Sequence, residues 1–202
     1  MAMKPTIHPA TPDRWADVEA VFQARGCSVA RGCWCMYYRE SGRPELPPAT
    51  TQQQARHERM QALVDAGAEP GLLACDGRQP VGWVSVAPRA EFPRLRRSPV
   101  ARPVDDEPVW SVVCFVVPAA YRHRGVAHAL LRGAVDHVRR RGGRIVEAYP
   151  IDKPGRSQDD WMWNGARSMF ERAGFVEVAR RLPHRPLMRL QLDSRPGRRA
   201  GP

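Results

Sequence analysis

Residues 122–127 carry the side chains and the spacing of a phosphate-binding loop. They read Arg-His-Arg-Gly-Val-Ala, follow the apolar run 109–117 and begin an amphipathic helix. Free backbone N–H groups at a helix N-terminus bind anions, and the helix dipole adds partial positive charge there. Gly125 would let a pyrophosphate approach the backbone, and Arg122 and Arg124 would add charge-assisted contacts. The alternative interpretation is an ordinary strand–turn–helix unit in an arginine-rich chain.

Two better-known phosphate motifs are missing from the sequence. No Gly-x-Gly-x-x-Gly follows the apolar run, and no Gly-Lys-Ser or Gly-Lys-Thr occurs anywhere. A dinucleotide-binding Rossmann unit and a P-loop are therefore poor interpretations.

The elements that must position this loop form a mixed α/β pattern. Helices are predicted over residues 13–25, 50–66, 121–141 and 159–172, and strands over residues 71–75, 80–87, 109–117, 144–149, 175–180 and 187–192. The strand–helix–strand unit 109–149 predicts two parallel strands joined by a right-handed crossover. Asp76-Gly77 predicts a hairpin turn. The long loop 88–108 is typical of a functional segment, and residues 26–42 show no regular period.

Composition and charge limit the function classes. The chain has 202 residues with 32 Lys+Arg against 21 Asp+Glu, a formal net charge of +11. Segments 122–144 and 179–202 each hold seven Arg and one Asp, or +6, so two short regions carry the excess. This indicates a polyanionic partner, unless the arginines only reflect a coding bias. No run of 18 apolar residues and no export signal is visible, so we expect a cytoplasmic protein without a membrane span.

The cysteines predict neither disulfides nor a metal site. The chain has five, an odd number: Cys27, Cys33, Cys35, Cys75 and Cys114. The first three lack the second pair that a zinc site needs, so we expect no metal. Packed or pocket-lining thiols are the favoured interpretation.

Three features of the sequence belong together: the order of the elements, the Arg-x-x-Gly-x-Ala segment, and Ala173-Gly174-Phe175 at the end of the last helix. In these features the chain resembles the GNAT superfamily of acetyl-CoA-dependent N-acyltransferases. The resemblance covers about residues 5–192. It implies a mixed, mostly antiparallel central sheet with a parallel, splayed strand pair and helices on both faces. Residues 1–192 would form this single domain. Residues 193–202 would form a basic tail, and the composition of this tail predicts that it is disordered.

The resemblance also implies where acetyl-CoA binds. The pantetheine would pair with the strand backbone in the cleft between the splayed strands, at Phe115, Val116 and Val117. The pyrophosphate would lie on the loop amides, at His123, Arg124, Gly125, Val126, Ala127 and His128, with the Arg122 side chain beside it. The asparagine that the family often carries at the start of the last helix is displaced here, with Trp163 at its position and Asn164 beside it. Asn164 is therefore the residue of this segment that we expect to bind acetyl-CoA.

Catalytic groups follow from the same resemblance. Glu147 matches the position of a glutamate base in some members, and Tyr149 lies on the same strand face. A solvent-facing glutamate or an ion-pair partner of an arginine is the alternative for Glu147. The usual tyrosine acid is replaced by Phe170, which cannot donate a proton. The candidates that could replace it are Tyr149, Tyr37, Tyr38, Cys114, the weaker Ser168, and solvent.

The acceptor would lie between the first helices and the loop 88–108. Trp34, Tyr37 and Tyr38 could wall a pocket, and Asp105 and Asp106 could hold an ammonium group. A helix packed on the sheet and a solvated acidic loop are the respective alternatives.

We therefore expect an N-acetyltransferase that transfers an acetyl group from acetyl-CoA to the primary amine of a small molecule. A protein lysine or N-terminus is the alternative acceptor. A GNAT-like acyl-CoA-binding protein without activity is a further alternative. A nucleic-acid-binding module is disfavoured, because no exposed aromatic residues interleave the arginines and no such motif occurs. The chain would be a monomer or a homodimer.

Overall fold

The computed structural model describes residues 3–42, 45–46, 48–153 and 162–192. The predicted tail 193–202 and the predicted start of the last helix at 159–161 lie outside these ranges. The helices are α1 (Trp15–Gln23), α2 (Ser28–Cys33), α3 (Gln52–Asp65), α4 (Pro93–Arg97), α5 (Val126–Arg140) and α6 (Arg167–Arg172). The strands are β1 (Thr6–Pro9), β2 (Leu72–Asp76), β3 (Gln79–Pro88), β4 (Trp110–Val116), β5 (Ile145–Ala148), β6 (Val176–Leu182) and β7 (Arg185–Gln191).

The seven strands form one sheet in the order β1-β2-β3-β4-β5-β7-β6. The pair β4–β5 is parallel, and the other neighbouring pairs are antiparallel. This confirms the mixed, mostly antiparallel sheet and the parallel pair within residues 109–149. The turn at Asp76-Gly77 joins β2 to β3 as predicted. Strand β1 was not predicted, because four residues containing a histidine and a proline carry too little periodicity to indicate a strand.

Helices cover both faces of the sheet. Buried residues of α1 and α3 pack against one face, which we call the α1 face. Helix α5 covers the opposite face together with Met169 and Phe170 of α6. The predicted inward positions of α5 are all buried: Val126, Leu130, Leu131, Val135 and Val138. Gly82 lets α5 approach β3 closely, because a Cβ there would lie 2.8 Å from Val126 Cγ1.

A β-bulge in β4 shapes the middle of the sheet. Ser85 pairs with Cys114 and Val86 with Val112, so Val113 is an extra residue in β4. Consecutive residues Val113 and Cys114 consequently both belong to the core of the α1 face. Bulges bend a strand and are common beside functional sites.

The parallel strands pair only briefly and then separate. Pairing runs from Trp110–Val146 to Val112–Ala148, and beyond it the segment 162–165 takes the place of β5. The Phe115 N–H donates to the Trp163 carbonyl at 2.7 Å, and the Asn164 side-chain amide donates to the Val113 carbonyl at 2.9 Å. The sheet therefore opens at the C-terminal half of β4.

Three short helical segments differ from prediction. Helix α6 begins at Arg167 within the described residues, because Gly165 with φ of +75° holds a turn just before it. Helices α2 and α4 lie in segments predicted to be irregular, and their six and five residues are too few to show a helical period. Within the described ranges, none of the helices has the length and apolarity needed to cross a membrane.

Candidate active site

A cavity of about 830 Å³ opens where β4 and β5 separate. The C-terminal end of β4, the loop into α5, helix α2 and the segment 162–166 form its walls. A second cavity of about 380 Å³ adjoins it, between residues 37–41 and the segment from α4 to Ala101. Both cavities are lined by Tyr37, Tyr38 and Arg185, so these three residues mark the junction.

The predicted phosphate loop lies at one end of the first cavity. Gly125 precedes α5 with φ of +86°, and His123 has φ of +58°. Glycine adopts the first conformation without the strain that a side chain would add. The first-turn N–H groups of α5 have no acceptor within the helix, so they suit an anion. Six of the seven predicted loop residues line the cavity, namely Arg122, His123, Gly125, Val126, Ala127 and His128.

The side chains of Arg124 and Arg122 are placed differently from each other. Arg124 is exposed and is not among the lining residues, so its pyrophosphate contact stays a prediction. Arg122 lines the cavity, but its Nε donates to the Val117 carbonyl at 3.1 Å and its Nη2 to the Gly26 carbonyl at 2.5 Å. This side chain thus also braces the loop against the start of α2, which the sequence did not indicate.

An additional cation completes the loop end of the cavity. Arg172, at the end of α6, lines the cavity and lies 3.0 Å from His128 Nε2 through its Nη2 atom. Burial, Arg172 and Arg132 lower the pKa of His128, so its imidazole is neutral at physiological pH. Arg172 was missed because its proximity to the loop depends on how α6 packs beside α5.

The strand edge offers less free backbone than predicted. The N–H of Phe115 is bonded to Trp163 and is therefore not free for the expected pairing with a pantetheine. Val116 is in register with Trp83 of β3, within the β3–β4 pairing. The Val117 carbonyl accepts from Arg122. All three residues nevertheless line the cavity.

Asn164 connects the opened sheet to the junction of the cavities. Its buried amide donates to the Val113 carbonyl at 2.9 Å and to Tyr38 Oη at 3.2 Å. Its Oδ1 accepts from Arg185 Nη2 at 3.2 Å. Burial raises the pKa of the Tyr38 phenol, although the hydrogen bond from Asn164 and the charge of Arg185 oppose this. Tyr38 therefore keeps its proton at neutral pH and can donate it at the junction.

Thiols line the same cavity without forming a metal site. Cys27, Cys33, Cys35 and Cys114 contribute to its wall. Burial is the main cause that raises the pKa of Cys33 to about 11 and also raises the pKa of Cys35, so both thiols are neutral. Among the described residues, no group of His, Cys, Asp and Glu side chains could hold a metal ion.

Glu147 does not face the cleft, and that prediction is wrong. The side chain has 0% exposure and lines neither cavity. Its Oε2 accepts from Arg89 Nη1 at 2.6 Å and from Tyr149 Oη at 2.9 Å, and its Oε1 accepts from Arg189 Nε at 2.8 Å. A buried carboxylate held by two guanidinium groups is an ion-pair centre, as the alternative interpretation had it.

Tyr149 belongs to the same buried cluster, which we call the Glu147 cluster. Its hydroxyl lies 2.9 Å from the Ser111 hydroxyl and accepts from Arg89 Nη1 at 2.8 Å. Burial and the charge of Glu147 raise its pKa well above the ordinary value. Tyr149 lines only the second cavity, and its hydroxyl is fully engaged, so it is a poor proton donor to the first.

Three predicted acceptor-binding residues lie elsewhere. Trp34 is 2% exposed and stacks on Phe22 with ring centroids 4.8 Å apart, so it is part of the core. Asp105 pairs with Arg189 at 2.5 and 2.8 Å and adjoins the Glu147 cluster. Asp106 is exposed, and neither aspartate lines a cavity. The structure therefore gives no support to an ammonium-binding role of Asp105 and Asp106, which stays a prediction.

Comparison with known proteins gives consistent matches. The model of the acetyltransferase (GNAT) family matches residues 34–159. No curated protein matches the sequence. A solved histone acetyltransferase HPA2 and related acetyltransferase from Corynebacterium glutamicum is 20% identical with a TM-score of 0.56, over 95% of this chain and 98% of that one.

Two further solved structures share the fold. A mosquito arylalkylamine N-acetyltransferase like 5b is 11% identical with a TM-score of 0.57, over 94% of this chain and 100% of that one. The PaiA N-acetyltransferase of Thermoplasma acidophilum, solved in complex with coenzyme A, is 11% identical with a TM-score of 0.52, over the same shares of the two chains.

Proposed function

Since this chain belongs to the GNAT acetyltransferase family, we propose that it transfers an acetyl group from acetyl-CoA to the primary amine of a small molecule by direct attack. The observation that carries the proposal is the junction at Tyr38. There the cavity that begins at the phosphate loop meets a second, smaller cavity. One cavity suits the acetyl donor and the other the acceptor.

The donor side is supported by the loop that begins α5. The amides of residues 123–128 would hold the pyrophosphate, with Gly125 in the conformation that the loop requires. The cavity continues from this loop along β4 to Cys114 and Tyr38. Since the amide of Phe115 is already bonded, the pantetheine arm would contact Val117 and the apolar wall rather than extend the sheet at Phe115.

The acceptor side is supported by the size of the second cavity. Its volume of about 380 Å³ lies near the lower end of ligand pockets in general, about 300–1,000 Å³. A small amine fits within this volume. The mosquito relative, whose name specifies arylalkylamines, is consistent with this class of acceptor.

The chemistry requires a proton donor more than a protein base. Attack forms a bond between the amine nitrogen and the acetyl carbon, and the bond from that carbon to the CoA sulfur breaks. The nitrogen loses a proton to water, because no carboxylate lines either cavity among the described residues. The sulfur gains a proton from the Tyr38 hydroxyl, whose pKa is raised.

The experiment is acetyl transfer from acetyl-CoA to a panel of primary amines, with products identified by mass spectrometry. Tyr38→Phe should lower kcat by about 10²-fold, the usual contribution of a general acid, with little change in the KM for acetyl-CoA. Tyr37→Phe is the matched control, because Tyr37 lines both cavities but its hydroxyl has no partner among the described residues. No transfer to any amine would refute the proposed function. Equal rates for the two variants would refute the role of Tyr38.

A further inference from the structure

The second cavity has an unusual charge. Arg94, Arg97 and Arg185 line it, and among the described lining residues there is no aspartate or glutamate. None of the three arginines forms an ion pair within the described ranges. The remaining wall combines an apolar part at Leu95 and Val100 with hydroxyl groups. A cavity with three cations and no acid is suited to an anion.

These arginines retain unused hydrogen-bond donors. Arg94 Nε donates to the Tyr37 carbonyl at 2.6 Å, and its guanidinium lies 4.1 Å from the Tyr37 ring centroid. The two terminal amino groups of Arg94 have no partner among the described residues. The Arg185 Nε atom is buried and has no hydrogen-bond partner within the part of the chain that the structure describes. A buried donor without a partner is costly, so a ligand oxygen that reached Arg185 Nε would be stabilised, while the accessible amino groups of Arg94 could donate to the same ligand.

Several other partly buried arginines of this chain pair with a carboxylate, whereas Arg31 and Arg181 donate only to backbone carbonyls within the described residues. Arg56, on the wall of the first cavity, donates to both carboxylate oxygens of Glu40 at 2.9 to 3.3 Å. Arg89 and Arg189 share Glu147. What distinguishes the second cavity is that three arginines without a carboxylate partner among the described residues line it together.

We infer that the second cavity binds an oxyanion of the acceptor, a carboxylate or a phosphate, so that the acceptor is a small amine that also carries an acidic group. The inference rests on the proposed function, because it assigns the amine end of this molecule to the junction at Tyr38. Guanidinium groups fit both oxyanions with paired N–H donors. The apolar wall at Leu95 and Val100 would contact the stem between the amine and the acid.

The test compares amines that differ only in the acidic group. 4-Aminobutanoate is paired with propylamine, and O-phosphoethanolamine with ethanolamine. In at least one pair, the acidic member should have a kcat/KM at least about 10-fold higher, the effect of a charge-assisted hydrogen bond. The pair that shows the preference identifies the oxyanion. A preference for the neutral member in both pairs would overturn the inference while leaving the proposed function intact.

The Arg94→Gln variant should abolish most of this preference. The ratio of kcat/KM for the acidic member to kcat/KM for the neutral member should fall by about 10-fold. Arg96→Gln is the matched control, because Arg96 lies on the same helix, is exposed and lines neither cavity. Equal melting temperatures of the two variants would exclude a folding defect. Equal ratios for Arg94→Gln and Arg96→Gln would overturn the inference.

Binding measurements decide the inference even where no product forms. The same four compounds are titrated calorimetrically into CoA-loaded protein. If no product forms but an acidic member binds more tightly than its neutral partner, and Arg94→Gln weakens this binding, the oxyanion site is supported and only the proposed function has failed. Absence of any such difference overturns the site.

Discussion

Replacing Glu147 with glutamine should destabilise the protein and leave its chemistry almost intact. The carboxylate has 0% exposure and accepts hydrogen bonds at 2.6 to 2.9 Å from Arg89, Arg189 and Tyr149. The amide of glutamine matches the shape but removes the negative charge between two guanidinium groups. One of its oxygens would also become an NH₂ group facing N–H donors.

The size of the effect follows from burial. Removing one partner of a buried ion pair costs about 3–5 kcal/mol, because the other charge stays buried without compensation. Arg189 keeps Asp105 as a second partner, so we expect the lower value, about 3 kcal/mol. For a chain of this length each kcal/mol lowers Tm by about 2–4 °C, which gives a decrease of about 6–12 °C.

The assay is thermal unfolding combined with steady-state acetyl transfer at a temperature well below both transitions. Asp136→Asn is the control, because its ion pair with Arg139 is exposed on the surface of α5. That change should cost about 0.5 kcal/mol or less. Because Glu147 lines neither cavity, kcat of the folded Glu147→Gln variant should stay within about threefold of the original.

One result would refute this reasoning. An unchanged Tm combined with a decrease in kcat of about 10²-fold or more would mean that Glu147 acts as a base on the acceptor. The buried geometry of the Glu147 cluster would then not be the state in which the reaction takes place.

Three other predictions concern the loop and the thiols. Gly125→Asp should raise the Kd for acetyl-CoA at least about 10-fold in calorimetry, because it strains the left-handed backbone and adds negative charge beside the predicted pyrophosphate site. Gly142→Asp, also at positive φ but at the far end of α5, should leave this Kd unchanged. Between pH 9.0 and about 11, only the unfolded state ionises the Cys33 thiol, because the pKa of Cys33 is raised in the folded state. The contribution of Cys33 should therefore lower the free energy of unfolding by up to about 1.4 kcal/mol per pH unit in this range. In urea titrations Cys33→Ser should flatten this slope, and an unchanged slope would contradict the raised pKa. CoA should slow alkylation of Cys33, which lines the first cavity, but not that of Cys75, which does not; equal protection of both would argue against CoA binding in that cavity.

The strand, loop and helix around Gly125 could be predicted from sequence because these parts are contiguous. An apolar strand, a glycine and an amphipathic helix follow one another, and hydrogen bonding and periodicity act over a few residues. The inward face of α5 and the parallel β4–β5 pair were predicted for the same reason. The β-bulge at Val113 left no such trace, because it depends on the register with β3.

The roles of individual charged residues depended on contacts between distant segments. Glu147 looked like a base within its own strand, but its partners Arg89 and Arg189 lie 58 and 42 positions away and convert it into a buried ion-pair centre. The arginines of the second cavity likewise come together from α4 and β7.

The sequence alone thus determined the fold family and the strand–loop–helix unit that begins α5, since both follow from local pattern. Only the tertiary structure decided which charges are buried and paired and which face a cavity. The reason is physical: burial and Coulombic interaction depend on distance in space, and a sequence records only distance along the chain.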